Sequence, residues 1–237
     1  MTSPGDITHL HHLVHLPSRS TALITYPSSD LLKRPVLLVH GVHSAPGHLD
    51  LWRHRCEDAG LSPYCFAYPT KGSIQDITAA VTATLRDLHA NHNTGVTLVG
   101  HSLGGIIAAS AALEVASTDP SAVSLVVAVC SPFDGATLAK ASFLGPSRHL
   151  LHDLCRGSQF LTDLKARLGE AATVTRWVSI GLQHDGVVSE ESAKLPHPRA
   201  HHVTLGGENH LSALISSAVA DEIVGVLTTE SSPNGDN

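Results

Sequence analysis

The stretch TLVGHSLGGIIAAS, residues 97–110, decides how this chain folds. Its first half is a short apolar run typical of a strand, and its second half is apolar almost all round, which is typical of a buried helix. Ser102 stands between the two halves, with Gly100 two residues before it and Gly104 two residues after it. A tight strand-to-helix turn crowds the positions on either side of the serine, so they must lack bulk. The stretch therefore predicts a sharp turn that presents the Ser102 hydroxyl at the start of a helix.

Runs of strand length alternate with helical patterns along the rest of the chain. Continuous apolar segments such as 35–41 and 124–132 predict strands that are buried on both faces. The apolar spacing after Ser73 predicts a helix that this serine caps. This alternation predicts an α/β fold in which helices flank a mostly parallel central sheet. Two short apolar runs in the first 30 residues predict extra strands at an antiparallel edge.

The length of 237 residues suits a single domain that spans 1–237. Residues 133–172 interrupt the alternation with short helical pieces, which predicts a small helical cap or lid inserted above the sheet. A final helix is expected to begin near His210 and to bury the apolar residues that follow. The tail, 228–237, is polar with Gly and Pro and is predicted to be disordered.

The composition excludes several classes of partner. The net charge is −6 and the Lys and Arg residues are scattered, so we expect no nucleic-acid binding. No stretch approaches 18 uninterrupted apolar residues, so we expect no transmembrane segment.

The histidine-rich start, residues 9–15, lacks a cysteine or carboxylate that would complete a ligand set, so no metal site is predicted. Because no basic leader is visible, a cytoplasmic location is expected, with secretion left open. We make no prediction of oligomeric state.

A serine hydroxyl becomes a useful nucleophile only beside a base, and the base needs an acid to orient it. After a serine turn of this type, the acid and then the histidine follow in chain order. Asp185 comes just after one predicted strand and His210 just after the next. Of the 18 histidines, His210 alone both follows the acid and stands at a strand's carboxyl end. Asp134 and Glu208 are the alternatives for the acid.

A tetrahedral intermediate also needs hydrogen-bond donors for its negatively charged oxygen. The backbone N–H of Leu103, directly after the serine, is one candidate. The second donor is expected from the loop after an earlier strand, where the sequence reads LLVHGVHS. The turn at Gly41 would present the N–H of Val42. The sequence therefore predicts an oxyanion hole formed by Val42 and Leu103.

Four motifs together resemble the α/β-hydrolase superfamily, and within it the bacterial lipases and esterases: VHGVHS, VGHSLGG, HDGVV and ENHLSAL. The resemblance covers about residues 35–227 and implies an α/β-hydrolase fold. It implies that Ser102 attacks an ester carbonyl, that His210 takes its proton and later activates water, and that Asp185 holds the imidazole. The substrate would be a small-molecule or lipid ester, and no cofactor is implied.

Two questions stay open at this point. Phe133, Phe143 and Phe160 lie in or near the insertion, where they either form its own core or bind the acyl chain of a substrate. The same three catalytic groups would also suit a thioesterase or an acyltransferase. The fold could instead serve a binding protein without activity, although such a protein has no need of all three groups.

Overall fold

A computed structural model of the chain describes residues 13–15, 22–25, 31–69, 72–136 and 147–229. Phe143, most of the histidine-rich start and the tail from residue 230 onward lie outside these residues. The predictions made for them therefore stay predictions.

Eight strands form one sheet, in the order β1-β2-β4-β3-β5-β6-β7-β8. The strands are β1 (Leu13–His15), β2 (Ala22–Thr25), β3 (Pro35–Val39), β4 (Ser62–Ala67), β5 (Val96–His101), β6 (Val123–Val129), β7 (Arg176–Leu182) and β8 (His201–Leu205). Strands β3 to β8 pair in parallel, whereas β1 and β2 pair antiparallel at one edge. The predicted mostly parallel sheet and its antiparallel edge are both confirmed.

Helices cover both faces of this sheet. They are α1 (Asp50–Asp58), α2 (Ile74–His92), α3 (Leu103–Ala116), α4 (Arg148–Asp153), α5 (Gln159–Glu170), α6 (Glu190–Ala193) and α7 (Ser217–Thr228), with 3₁₀ turns at Pro46–Leu49 and Ser212–Leu214. Alternate side chains of β3 point to opposite faces: Leu37 and Val39 pack with α2 and α3, whereas Val36 and Leu38 pack with α1 and α7. Because both faces are covered, the strand is fully buried and its sequence is continuously apolar.

The predicted helix after Ser73 is confirmed as α2. The Ser73 hydroxyl accepts a hydrogen bond from the Asp76 N–H at 3.0 Å and so satisfies a donor of the first turn. The predicted helix after Ser102 is confirmed as α3, which is buried along most of its length because it lies between the sheet and α2.

The final helix begins later than the sequence pattern predicts. It starts at Ser217 rather than near His210. The side chain of Asn209 accepts hydrogen bonds from the N–H groups of Leu211 and Ser212, both at 3.1 Å, and this closes a tight turn where helix was expected. Leu211 is consequently 71% exposed instead of buried on a helix face.

The described part of the insertion contains α4 and α5. The inner leucines of α5, Leu161, Leu164 and Leu168, join the core that α2 and α3 share. This helix therefore packs on the flank of the domain beside α3. Within the described ranges of the chain, no helix combines the length and the apolar character that crossing a membrane requires.

The strand order creates a crevice at the carboxyl end of the sheet. The chain passes from β3 to its neighbour β4 on one side and then returns to β5 on the other side of β3. The loops that follow β3 and β5 therefore lead away in opposite directions and leave a crevice between them. Open α/β sheets bind their ligands at such a point.

Candidate active site

Ser102 lies at the crevice, on the turn between β5 and α3. Its backbone has φ 54° and ψ −121°, a strained conformation for a residue with a side chain. A Cβ atom at Gly100 would lie 2.3 Å from the carbonyl carbon of Gly104, and one at Gly104 would lie 2.1 Å from the carbonyl oxygen of Val39. Gly100 is thus required for the end of β5 to pack against the first turn of α3, and Gly104 for that turn to pack against β3.

Ser102, His210 and Asp185 form one chain of hydrogen bonds. Ser102 Oγ lies 3.0 Å from His210 Nε2, and His210 Nδ1 lies 2.8 Å from Asp185 Oδ2. A carboxylate only accepts, so the Nδ1–H of the neutral imidazole donates to Asp185 and the bare Nε2 faces the serine hydroxyl. The three residues follow β5, β7 and β8, whose carboxyl ends meet at the same edge of the sheet. The imidazole is therefore oriented to accept the serine proton.

Asp185 is held by its own loop as well as by the histidine. Its side chain is 1% exposed, and its Oδ1 accepts the N–H groups of Val187 and Val188 at 2.8 and 2.9 Å. Burial opposes ionisation, but the hydrogen bond from His210, its electrostatic attraction and the hydrogen bonds from the two N–H groups outweigh it and hold the pKa of this carboxyl below its usual value. Asp185 is therefore ionised at neutral pH.

The two alternative acids bind other partners. Asp134 forms ion pairs with Arg156 and Lys165, both at 2.7 Å. Glu208 accepts a hydrogen bond from the hydroxyl of Ser212 at 2.6 Å. Of the three candidate acids, the structure brings Asp185 to the imidazole.

The loop after β3 packs directly against the serine turn. A Cβ atom at Gly41 would lie 3.1 Å from the Cβ of Ser102. The hydroxyl of Tyr68 donates to the carbonyl of His40 at 2.6 Å, and the two rings stack with centroids 4.1 Å apart. These contacts hold His40 and Gly41 at the start of the loop. Val42, which follows Gly41, lines the same cavity as Ser102.

Leu103 is the first residue of α3. The N–H groups in the first turn of a helix have no partner within the helix, and they favour a negative charge nearby. The structure therefore brings both predicted oxyanion donors, Val42 and Leu103, to the surroundings of the Ser102 hydroxyl.

A cavity of about 670 Å³ opens beside the serine and the histidine. The loop after β3 and the start of α1 contribute both polar and apolar residues to its lining. The segment that follows His210 contributes Leu211, Leu214 and Ile215, which are all apolar. The lining residues are Val42, His43, Ser44, Gly47, His48, Asp50, Leu51, His101, Ser102, His210, Leu211, Leu214 and Ile215.

The structure does not bring Phe133 or Phe160 to this cavity. Phe133 is 1% exposed and belongs to the core beside α3. Phe160 packs against the same core and lines a separate cavity of about 370 Å³ between α2, α3 and α5. Phe160 lies on α5, which packs on the flank of the domain beside α3. Phe143 lies outside the described residues.

Two buried residues next to the site have contacts that the sequence pattern did not reveal. The Nε2–H of His101 donates to the carbonyl of His210 at 2.9 Å and so fixes the loop that carries the imidazole. Burial, followed by the repulsion from His210, lowers the pKa of His101 to about 3, so its ring stays neutral. Burial, followed by the negative charge of Asp185, raises the pKa of the Cys130 thiol. Neither the contact of His101 with His210 nor the interaction of Cys130 with Asp185 has a sequence signal, because the two partners are far apart along the chain.

These two residues also complete a small group of potential metal ligands. Over the described ranges, one group of three or more His, Cys, Asp or Glu residues has its potential ligand atoms within 4.8 Å of one another. It consists of His101, Cys130 and His210. Both ring nitrogens of His210 already bond to Ser102 and Asp185. The imidazole is thus engaged in the hydrogen-bond chain, and the group gives no reason to assign a metal.

Comparison with known proteins agrees with this geometry. Residues 36–230 match the model of the "Alpha/beta hydrolase family". The chain belongs to the alpha/beta hydrolase family. A search of curated proteins found none that matches this hydrolase-family chain.

Several solved structures share the fold. A lipase from Bacillus licheniformis in its mature form superposes with a TM-score of 0.71 at 20% identity, over 85% of this chain and 94% of the lipase. A structure from a study of carboxylesterases of the thaumarchaeon Nitrososphaera gargenis has a TM-score of 0.63 at 15% identity, over 91% of this chain and 97% of its own. A thioesterase domain from the curacin biosynthetic pathway has a TM-score of 0.66 at 13% identity, over 94% of this chain and all of the domain (100%). At these identities the similarity shows the fold alone.

Proposed function

We propose that this family member is a serine hydrolase that cleaves carboxylic esters through an acyl-serine intermediate. The observation that carries the proposal is the hydrogen-bond chain from Ser102 Oγ through His210 to Asp185, with lengths of 3.0 and 2.8 Å, beside an open cavity. Such a chain supplies a nucleophile, a base and an orienting acid in the geometry that acyl transfer needs.

In the first half of the reaction, Ser102 Oγ attacks the ester carbonyl carbon while His210 Nε2 takes the hydroxyl proton. The carbonyl oxygen becomes an oxyanion, which the N–H groups of Leu103 and Val42 stabilise. The ionised Asp185 stabilises the imidazolium that forms. When the tetrahedral intermediate collapses, the bond to the alcohol breaks and the imidazolium gives its proton to the departing alcohol oxygen.

In the second half, water takes the place of the alcohol. His210 Nε2 removes a proton from the water, whose oxygen attacks the acyl-serine carbonyl. The same two N–H groups stabilise the second oxyanion. Collapse of this intermediate returns the proton to Ser102 Oγ and releases the carboxylic acid. The products are a carboxylic acid and an alcohol.

The test is hydrolysis of p-nitrophenyl butanoate by the parent chain and by Ser102→Ala. We expect turnover by the parent and a fall in kcat of about 10³-fold or more in the variant, because the nucleophile is gone. Ser117→Ala is the matched control, since this serine lies at the far end of α3 and its hydroxyl donates to the nearby carbonyl of Glu114. It should keep the parent rate.

The same experiment separates the competing functions. No turnover by the parent chain would refute the proposal and favour a binding role. Turnover that survives Ser102→Ala would place the reaction at another site. Acyl thioesters that react much faster than the matched oxygen esters would favour a thioesterase instead.

A further inference from the structure

The segment after His210 exposes two large apolar side chains at the mouth of the cavity. Leu211 is 71% exposed and Ile215 is 78% exposed, and Leu214 lies beside them at 8%. All three line the cavity that contains Ser102. Large aliphatic side chains in contact with water gain free energy when a ligand covers them. These three residues, termed the apolar wall below, are therefore a surface that favours a hydrocarbon ligand.

The rest of the lining, from the loop after β3 and the start of α1, is mixed in chemistry. It contains the polar residues His43, Ser44, His48 and Asp50 as well as Val42 and Leu51. His48 Nδ1 accepts a hydrogen bond from the N–H of Ala45 at 3.2 Å, so the proton of the neutral ring lies on Nε2, which can donate. A hydrocarbon placed against these polar groups would desolvate them without replacing their hydrogen bonds. The segment after His210 is therefore the part of the lining that favours a hydrocarbon most.

We propose that Leu211, Leu214 and Ile215 form the subsite for the hydrocarbon arm of the substrate, which is an ester with an aliphatic chain. This inference rests on the proposed ester hydrolysis at Ser102. The mixed part of the lining receives the remainder of the ester. The cavity volume of about 670 Å³ suits a single small-molecule ester, since such sites measure about 300–1,000 Å³.

The subsite differs from the one that the sequence analysis offered as an alternative. The insertion was one candidate source of acyl contacts, but its described residues line other surfaces. The apolar wall instead follows directly from the late start of α7. Had the helix begun near His210, Leu211 and Ile215 would have packed inward and the cavity would have lost its apolar wall.

The first experiment measures kcat/KM for two series of esters. In one series, p-nitrophenyl esters carry acyl chains from acetyl to octanoyl; in the other, acetate esters carry n-alkyl alcohols from ethyl to hexyl. Each methylene that the apolar wall covers should raise kcat/KM about fourfold. The series in which the rise occurs identifies the acyl or the alcohol arm as the occupant. A rise in neither series would overturn the inference.

The second experiment changes the wall. In Leu211→Ser/Ile215→Ser, the rise per methylene should fall from about fourfold to twofold or less, because two of the three apolar side chains are lost. Both positions are exposed, so the variant is expected to fold. Val174→Ser is the matched control: Val174 is 73% exposed and lines a different cavity. It should keep the parent rise. An unchanged rise in the double variant would overturn the inference.

A third arm separates this inference from the proposed function. p-Nitrophenyl n-alkylphosphonates test binding at Ser102 without ester turnover: Ser102 Oγ bonds to phosphorus, p-nitrophenolate leaves, and the hydroxyl proton passes to His210 and then to solvent. Mass spectrometry measures the rate of labelling. Labelling that speeds up with chain length only when the apolar wall is intact would support the subsite even if no ester is hydrolysed. Labelling that is independent of chain length would contradict it.

Discussion

Replacing Asp185 by asparagine should remove most of the activity while it leaves the fold intact. The two side chains have the same shape. Aspartate has two oxygens that accept hydrogen bonds, whereas asparagine has one such oxygen and an NH₂ group that donates. The N–H groups of Val187 and Val188 both donate to Oδ1, at 2.8 and 2.9 Å. The amide oxygen must occupy this position, because the opposite orientation would lose two hydrogen bonds, each contributing about 1 kcal/mol.

The amide NH₂ group then faces His210 Nδ1, where Asp185 Oδ2 lies at 2.8 Å in the parent. An NH₂ group donates, so Nδ1 has to accept and the imidazole proton moves to Nε2. The Nε2–H then points at Ser102 Oγ and cannot take the hydroxyl proton. In a Ser-His-Asp triad this wrong tautomer lowers kcat by about 10⁴-fold, equivalent to about 5.4 kcal/mol.

The assay compares kcat for p-nitrophenyl butanoate in the parent and in Asp185→Asn, with urea unfolding as a check on stability. A matched control is Asp134→Asn, which changes an acid that pairs with Arg156 and Lys165 away from the imidazole. The control should keep kcat within about twofold, since surface ion pairs of this kind contribute little. A value of kcat for Asp185→Asn within tenfold of the parent would refute the orientation argument.

Further predictions concern stability and are checked by urea unfolding. Gly104→Ala should lower the free energy of unfolding by about 3 kcal/mol or more, because its Cβ would lie 2.1 Å from the carbonyl oxygen of Val39. Gly169→Ala is the control: a Cβ there meets nothing within 4 Å, so the free energy of unfolding should change by less than about 1 kcal/mol. A similar loss in both variants would contradict the packing argument. The pKa of His101 is about 3 in the fold and about 6.5 when unfolded, so the unfolded chain binds the extra proton between these values, and stability should fall as the pH drops below 6.5. His101→Gln should remove up to about 1.4 kcal/mol per pH unit of that dependence, and an equal dependence in both proteins would contradict the assignment.

Much of the fold could be predicted because the signals are local. Strands buried on both faces are continuously apolar, as in 35–39, and the glycines around Ser102 are needed within a few residues of the turn itself. The positions of Asp185 and His210 follow from a simple geometric fact, since parallel strands end at one edge of the sheet. Each of these predictions depends on a short stretch and on the rules of the parallel sheet.

The cavity could not be predicted in the same way. Its walls come from the loop after β3 and the segment after His210, which the chain order does not connect. The helical spacing after His210 predicted buried side chains, but hydrogen bonds to Asn209 form a turn there and expose Leu211. Phe133 was a candidate for the cavity, but it belongs to a core that it shares with residues of α3 and α5, which are distant from it along the chain. Burial at such places depends on contacts between distant segments.

The central claim is that Ser102 forms a covalent bond to the acyl group of an ester, and mass spectrometry tests it most directly. The protein is mixed with p-nitrophenyl acetate, quenched rapidly in acid, weighed intact and then digested to locate the label. Our account predicts one acetyl group per chain, located on Ser102, and none in Ser102→Ala. An acetyl group on another residue, or turnover with no acylated serine at any time point, would contradict it.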